Sequence, residues 1–250
     1  MASHTVPAGS ILEGEVLGAR GAVTVMLRRV EVSPAGSFGR SLGVARIRVD
    51  GDASVFELTT PRDAPPASVG PQCRLGYLVA ASDGGSKRRA REVAAPVEIT
   101  GGEHAIHDSV HFDRIVPSQP GRHFHLELAD LSLQGGGHLA GRVHVDPELG
   151  QGSFSVVARG EEAWRTNIRF RTRRQPPLWD SKCIWEQELT VEFTPDRRWS
   201  PFRFDIPGHL PPAVEGHAIA WRYEISAQRL PRGLLSNRAV VTPLRFDVEF

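Results

Sequence analysis

The chain contains one pattern twice, and this internal repeat restricts the fold more than any other feature of its 250 residues. Residues 56–66 and Tyr77 recur as residues 202–212 and Tyr223, at a constant offset of 146. Upstream, Gly14 recurs as Gly141 at an offset of 127, so the second copy carries a 19-residue excess in its middle. Two copies leave each with an ordinary domain size.

Apolar and polar residues alternate in short segments of both copies. Examples are Val23, Val25 and Leu27 in the first copy, and Phe124, Leu126 and Leu128 in the second. A period of two places one face of a strand on a core, whereas no stretch keeps a helical period. With 25 Gly and 19 Pro to form turns, the pattern predicts an all-β chain of two tandem antiparallel β-sandwich domains of immunoglobulin-like type.

The predicted boundaries are an N-terminal sandwich over 1–100, a linker over 101–120 and a C-terminal sandwich over 121–250. Within the linker, residues 109–115 predict one short strand. The first copy has no evident counterpart of residues 124–128, so it either lacks this edge strand or takes it from the linker. An uncovered sheet edge is available for pairing with another chain.

Three features of the second copy resemble the arrestin-like fold superfamily. They are the strand, glycine turn and Leu-x-Gly-x-Val strand over 124–143, the Phe-x-Ile-Pro and Leu-Pro-Pro segments over 204–212, and the alternating strand of Trp221, Tyr223 and Ile225. The first copy departs from the pattern at Thr60, where the family prefers an aliphatic residue. Two such domains in tandem are similar to arrestins, the arrestin-like retromer subunit and bacterial sporulation-control M-type proteins. The resemblance implies a non-catalytic adaptor or scaffold that binds other proteins, in some cases at a membrane surface.

Two basic runs are the first candidate binding sites. They consist of Lys87, Arg88, Arg89 and Arg91, and of Arg169, Arg171, Arg173 and Arg174. Arginine clusters bind phosphates, acidic lipid headgroups or acidic peptides, and the resemblance implies such surfaces receive phosphorylated tails. A peripheral protein that binds anionic lipid or phosphate is therefore the first alternative function. Solvated loops and an outward strand face explain the same residues, and a net charge of +1 argues against nucleic acid.

Histidines in and after the linker define the second alternative, a metal-binding β-sandwich. The candidate ligands are His104, His107, His123 and His125. Residues 123 and 125 fall on one side of a strand, a spacing that can present two imidazoles to one ion. A polar strand face and a solvated linker explain the same residues, so the favoured interpretation contains no metal and no cofactor.

Trp179 is a candidate partner anchor, because it follows Pro176 and Pro177 in a context typical of a loop. Core filling is the competing explanation for the tryptophans around it. The chain has neither a Gly-x-Ser-x-Gly elbow nor a phosphate-binding glycine loop, so we predict that it is not an enzyme.

The predicted compartment is the cytoplasm. The N-terminus lacks the basic and apolar regions of a secretory signal, no long uncharged run is present, and Cys73 and Cys183 read as reduced core residues, one in each half. The predicted partners are other proteins, with an anionic membrane surface as an alternative. Pairing of open strand edges also allows a homodimer.

Overall fold

A computed structural model describes residues 4–19, 21–83, 92–100, 124–129, 132–146, 152–167, 177–194, 196–197, 199–230 and 244–249. These residues form strands, turns and irregular segments and contain no helix, which confirms the all-β prediction. A helix long and apolar enough to cross a membrane is accordingly absent from this part of the chain.

The chain divides into two compact units. The first comprises Met1–His107, Trp164–Trp179 and Gly216–Ile219, and the second comprises Asp108–Ala163, Asp180–Glu215 and Ala220–Phe250. The strands up to residue 100 are β1 (His4–Pro7), β2 (Ile11–Leu17), β3 (Gly21–Ser33), β4 (Gly36–Val49), β5 (Ala53–Thr59), β6 (Ser68–Val69), β7 (Arg74–Ser82) and β8 (Glu92–Thr100). The later strands are β9 (Phe124–Leu128), β10 (Ser132–Gln134), β11 (His138–Val145), β12 (Gly152–Arg165), β13 (Trp179–Phe193), β14 (Trp199–Asp205), β15 (Val214–Glu215), β16 (Ile219–Arg229) and β17 (Leu244–Glu249).

Two large sheets have the same strand order. One runs β1-β8-β7-β3-β4 with β6 paired to β7, and the other runs β10-β17-β16-β12-β13 with β15 paired to β16. β3 pairs antiparallel with β4 and β7, β7 with β8, and β16 with β15 and β17, whereas at one edge of each sheet β1 lies parallel to β8 and β10 lies parallel to β17. The short strand β1 precedes the segment at which the repeat becomes legible in the sequence.

Two smaller sheets also correspond to each other, but they differ in size. β2 pairs with β5, whereas β11 pairs with both β14 and β9. In the described residues the first of these sheets therefore has two strands and the second has three. The extra strand is β9, the segment for which the first copy has no counterpart in its sequence.

The core of the first unit combines side chains from its large sheet and from the β2–β5 sheet. Val23, Val25 and Leu27 of β3 belong to the same buried cluster as Leu12 and Val16 of β2. Their alternation along each strand produces this arrangement, because only every second side chain faces the cluster. Burying one such side chain stabilises the fold by about 1.5–3 kcal/mol.

A tyrosine–proline hydrogen bond occupies the same place in both copies. The Tyr77 hydroxyl donates to the Pro65 carbonyl at 2.6 Å, and the Tyr223 hydroxyl donates to the Pro211 carbonyl at 2.5 Å. Burial raises the pKa of Tyr77 to about 12 and raises the pKa of Tyr223 as well, so both groups remain donors. The repeated prolines and tyrosines thus tie each proline-rich turn to the strand that follows it.

The departure at Thr60 has a local explanation. Its buried hydroxyl lies 3.1 Å from the Pro7 carbonyl and 3.0 Å from the Ser10 carbonyl, in the turn between β1 and β2. The Pro7 carbonyl also accepts the Ser10 N–H and the Ser10 carbonyl also accepts the Thr60 N–H, so the hydroxyl adds a donor to this turn that an aliphatic side chain would lack.

The longer second copy differs most in the connection between its two long strands, β12 and β13. Pro34 and Ala35 alone join β3 to β4, whereas residues 166–178 join β12 to β13. The cysteine prediction is correct for Cys73, which is buried, and wrong for Cys183, which is exposed on β13. β13 is the end strand of its sheet and is exposed over most of its length, so its side chains have less to pack against.

A buried carboxylate places residues 216–219 in the first unit. Glu31 of β3 is 2 % exposed and accepts hydrogen bonds from the backbone N–H groups of His217, Ala218 and Ile219 at 2.5–3.2 Å. Arg29 lies 3.0 Å from the same carboxylate. The charge of Glu31 is therefore balanced by oriented N–H dipoles and a guanidinium, which is the condition for burying a charged group.

Candidate functional site

β2 has one unpaired edge within the described residues. The Ser10 carbonyl and the Gly18 amide both bond on the β5 side, to the Thr60 amide and the Asp52 carbonyl. Alternate residues of a strand direct their N–H and C=O groups to opposite sides, so the odd-numbered residues of β2 direct theirs to the open edge. These residues are Ile11, Glu13, Glu15 and Leu17.

A groove of about 600 Å³ runs beside this edge, and its lining is mainly apolar. Leu12 and Val16 of β2 and Val79 and Ala81 of β7 contribute to it. The opposite side is the first half of β8, where Val93 is 72 % exposed and burial begins only at Val97. The groove therefore leaves uncovered a stretch of apolar surface that the strand pattern places toward the core.

Carboxylates dominate the outer face of the β2–β5 sheet. Glu13 lies directly opposite Glu57, and Glu15 lies on the same face of β2. All three are exposed, and none forms an ion pair with any residue in the described part of the chain. Like charges opposite each other weaken a sheet, so this face is suited to a cationic neighbour.

In the second unit the corresponding edge is covered by β9. Phe124 and Leu126 are 3 % and 1 % exposed, and they lie opposite Val145 and Val143 of β11. The Phe124 ring also contacts the Phe154 ring, with centroids 4.5 Å apart. β9 thus supplies two core side chains at a place where the first unit has an open groove.

One glycine in each copy has the same surroundings, so the two strand edges can be compared directly. A Cβ atom on Gly14 would lie 2.5 Å from Cζ of Phe56, and one on Gly141 would lie 2.5 Å from Cζ of Phe202. On Gly141 it would also collide with the Glu127 carbonyl of β9. Each glycine thus admits a phenyl ring from the neighbouring strand, and only the second has a strand on its other side.

Charge on the outer face of the second sheet is paired. Arg142 of β11 donates two hydrogen bonds to Glu127 of β9, at 2.6 and 3.0 Å, and His144 lies 2.6 Å from the same carboxylate. Hydrogen bonds from Arg142 and then from His144 lower the pKa of Glu127 to about 2. The Arg142 guanidinium also lies 5.6 Å from the Trp199 ring centroid, a cation–π distance.

His125 belongs to this outer face. Its ring stacks on the His144 ring with centroids 4.6 Å apart and an interplanar angle of 5°. Desolvation by burial, followed by repulsion from His144, lowers the pKa of His125 below its usual value. Both causes disfavour the charged form of His125, so its neutral form is favoured relative to a fully exposed imidazole.

Most of the predicted site residues lie outside the described residues. These are Lys87, Arg88, Arg89 and Arg91, Arg169, Arg171, Arg173 and Arg174, the candidate ligands His104, His107 and His123, and the predicted linker strand at residues 109–115. The anion-binding hypothesis therefore stays a prediction, as does the metal hypothesis for these three histidines.

Two predicted residues are described, and they lie in different units. His125 stacks on His144 in the second unit, whereas Trp179 begins β13 in the first unit and is 36 % exposed. Across the described chain no group of three or more His, Cys, Asp or Glu side chains is arranged to hold a metal ion. Of the neighbouring tryptophans, Trp164 is buried and Trp199 is exposed beneath the Arg142 guanidinium.

The sequence predicted that the first copy either lacks an edge strand or takes one from the linker, and the described residues place no strand at this edge. It did not predict that β8 forms the other side of the groove. The first half of β8 follows residues outside the described chain, and nothing local in Glu92–Pro96 indicates that it flanks β2. The signal present in the sequence is the alternation of Val93, Ala95 and Val97, which predicts an apolar face without identifying what covers it.

No protein-family model matches this chain, and no curated protein matches it significantly.

Proposed function

We propose that this chain is a cytoplasmic, non-catalytic adaptor whose first unit binds an extended segment of a partner protein along the open edge of β2. The observation that carries the proposal is the pairing of β2, which in the described residues has a partner on one side only. Added strands bind an exposed sheet edge through main-chain hydrogen bonds, and side-chain pockets beside the edge provide specificity.

The inferred architecture behind this proposal is a tandem pair of arrestin-like β-sandwiches. Two features support it: the strand order that the two large sheets share, and the single core cluster that joins the β2–β5 sheet to the large sheet of the first unit. The tyrosine–proline bond common to both copies supports a common ancestry for them.

The lining of the groove favours binding over catalysis. Only Glu13, Glu15 and Asp83 among its lining residues have polar side chains, and none is a histidine, cysteine, serine or lysine. Glu13 and Glu15 alternate with the inward Leu12 and Val16, so they border the groove along the strand edge and direct their side chains to the outer face. Nucleophilic catalysis needs a nucleophile beside a base, which these side chains do not supply. An apolar floor beside unpaired backbone donors and acceptors instead suits an extended peptide.

The experiment is a strand-addition test on the full chain. Peptides of eight to ten residues are selected from a displayed library on the wild-type protein, and the binding of one selected peptide is measured by fluorescence anisotropy. We expect amide hydrogen exchange to slow at Glu13, Glu15 and Leu17 when this peptide binds, because these N–H groups gain acceptors.

A matched pair of variants at one position isolates the backbone contribution. Glu15→Pro removes an outward N–H without affecting the β5 side, so we expect at least tenfold weaker binding with the circular dichroism spectrum retained. Glu15→Val keeps the N–H and should retain strand addition. Equal binding by Glu15→Pro and the wild-type protein would overturn the proposal.

A further inference from the structure

In the second unit, the strand β9 occupies the position that is open in the described residues of the first unit. In β9, Phe124, Leu126 and Leu128 pair with Val145, Val143 and Gly141 of β11. The repeat offset of 127 converts these β11 positions into Gly18, Val16 and Gly14 of the first unit. An added antiparallel strand would therefore face the groove at the positions opposite Gly18, Val16 and Gly14.

The size of the groove agrees with side chains of this kind. Gly18 has a φ of +69°, and nothing lies within 4 Å of where its Cβ would be, so there is space beside it for a ring. Val16 and Val23 line the adjacent stretch. An aromatic side chain opposite Gly18 and an aliphatic one opposite Val16 would repeat the placement of Phe124 and Leu126.

The outward-facing residues at equivalent positions of β11 and β2 have opposite charges in the two units. In the second unit, Arg142 of β11 pairs with a carboxylate of the added strand, Glu127. In the first unit the residue equivalent to Arg142 is Glu15, and Glu13 lies two positions away on the same face. The complementary residue of an added strand is therefore a lysine or arginine.

We propose that the β2 groove selects a strand whose sequence reads aromatic, any residue, aliphatic, Lys or Arg, apolar, Lys or Arg. The first two apolar positions lie opposite Gly18 and Val16, and the two cations lie opposite Glu15 and Glu13. This inference rests on the proposed function and adds the chemistry of the partner to it. The partner is an extended segment of another protein, basic on the face that points away from the groove.

Two other occupants are less compatible with these charges. A second copy of β2 would bring Glu13 and Glu15 against carboxylates of its own kind. The chain's own residues 109–115 lie outside the described residues and contain one acidic residue, Asp113, and one basic residue, Arg114, so they lack the two cations of the proposed pattern. Both occupants are outcomes that the following experiment separates.

The experiment compares two capped probe peptides, Gly-Phe-Thr-Val-Lys-Val-Lys-Gly and the same peptide with both lysines replaced by glutamate. Their dissociation constants are measured by titration calorimetry on the wild-type protein. We expect the lysine peptide to bind about tenfold more tightly, because each surface ion pair contributes modestly and each like-charge pair opposes binding.

Charge reversal on the protein provides the reciprocal test. In the double variant Glu13→Lys/Glu15→Lys we expect the preference to invert in favour of the glutamate peptide. The matched control, Glu186→Lys/Glu192→Lys on exposed positions of β13, changes the net charge equally and should leave the preference unchanged. If the control shifts the preference as much as the groove variant, long-range charge is responsible and the proposal is wrong.

The remaining outcomes distinguish failure of the charge rule from failure of strand addition. Equal affinities for both peptides, with exchange slowed in β2, would overturn the charge rule and leave the proposed function intact. No binding of either peptide, together with no peptide selected from the library, would overturn both.

Two further measurements address the other occupants. If the lysine peptide binds only after residues 109–115 are replaced by Gly and Ser, the chain's own segment is the occupant and the proposal is overturned. A dimer that Glu15→Pro abolishes would identify a second copy as the occupant and would overturn it equally. A monomer with unchanged binding in the Gly/Ser variant supports it.

Discussion

The β2–β5 sheet and the β9–β11–β14 sheet have the same inner face and different outer faces. Their inward residues correspond, and each has a glycine that admits a phenyl ring from the neighbouring strand. One sheet completes itself with β9, whose carboxylate is paired with Arg142. The other ends at β2 and carries Glu13, Glu15 and Glu57 without a cation among the described residues.

Comparing the two sheets distinguishes the residues that packing requires from the residues that are available for binding. A single domain would not allow this comparison. Positions shared by the two sheets are those that packing requires, since both copies must fill a core. Positions that differ are not required for packing. At β2, among the described residues, these positions provide an unpaired strand edge and the negative charges of Glu13 and Glu15. The edge is thus the part of the molecule in which the two copies have taken different roles.

The largest expected effect is at the strand that only the second unit possesses. Phe124→Ala removes a buried ring that contacts Phe154 and should lower the free energy of unfolding of the second unit by about 3–5 kcal/mol. Thermal unfolding monitored by hydrogen exchange in β11 and β16 provides the measurement. Val55→Ala on the exposed outer face of the first unit is the control and should change stability by less than about 0.5 kcal/mol. Equal effects would mean that β9 is not an integral part of its sheet.

Proline at equivalent positions of β11 and β2 tests the pairing itself. Arg142→Pro removes a backbone donor that faces β9 and should cost about 1–3 kcal/mol, because a ladder carbonyl of β9 loses its partner. Glu15→Pro removes a donor that faces the open edge and should cost much less. Urea unfolding of both variants measures these changes in the free energy of unfolding. A comparable loss of stability in both variants would show that the β2 edge is already paired.

Removing the hydroxyl of Tyr77 or of Tyr223 should lower the free energy of unfolding of the two units by similar amounts. Tyr77→Phe and Tyr223→Phe each leave a proline carbonyl without its hydroxyl donor, so each should lose about 1–2 kcal/mol. Local hydrogen exchange in β7 and β16 measures the two losses separately. A large loss in only one unit would contradict the view that this bond is common scaffold.

Acid should weaken the second small sheet. The folded-state pKa of Glu127 is lowered from 4.5 to about 2, so its contribution is present above pH ~4.5 and is lost as the pH falls toward 2. The pKa of His125 is also lowered, from 6.5, so stability falls as the pH drops through that value. Both groups are partly exposed, so solvent screening limits the effect to less than about 1 kcal/mol.

Exchange rates of β9 and β11 amides between pH 7.5 and 5, corrected for intrinsic exchange, measure the histidine part of this effect. β2 and β5 contain no histidine and serve as the internal reference. His125→Asn should remove much of the pH dependence in the second unit. An equal pH dependence in both sheets would exclude His125 as its source.

Local features were predictable from the sequence, and long-range ones were not. Alternation identified strands such as β3 and β9, and the repeated prolines and tyrosines marked the turns, because these signals depend on residues a few positions apart. The exposure of Cys183 and the place of β8 beside the groove depend on which strand ends a sheet. That choice depends on contacts between distant segments, and alternation alone does not record them.

The candidate site was predictable only in outline. The absence of a counterpart to β9 indicated an open edge, but the roles of Glu13 and Glu15 required the register of β11 on β9 and the Arg142–Glu127 pair. Neither charge has a sequence motif. Their role is recognised only when β2 is compared with β11 in the structure.

The two-stranded β2–β5 ribbon has a consequence for the lifetime of the protein. A ribbon of two strands is marginal by itself and depends on the core beneath it. A partner that binds only the folded state, present at a hundredfold excess over its dissociation constant, adds about 2.7 kcal/mol to stability. Under the proposed function, copies without a partner would open more often at β2 and be degraded first by cellular proteases. The cellular abundance of the adaptor would then follow the abundance of its partner, without any separate regulatory element.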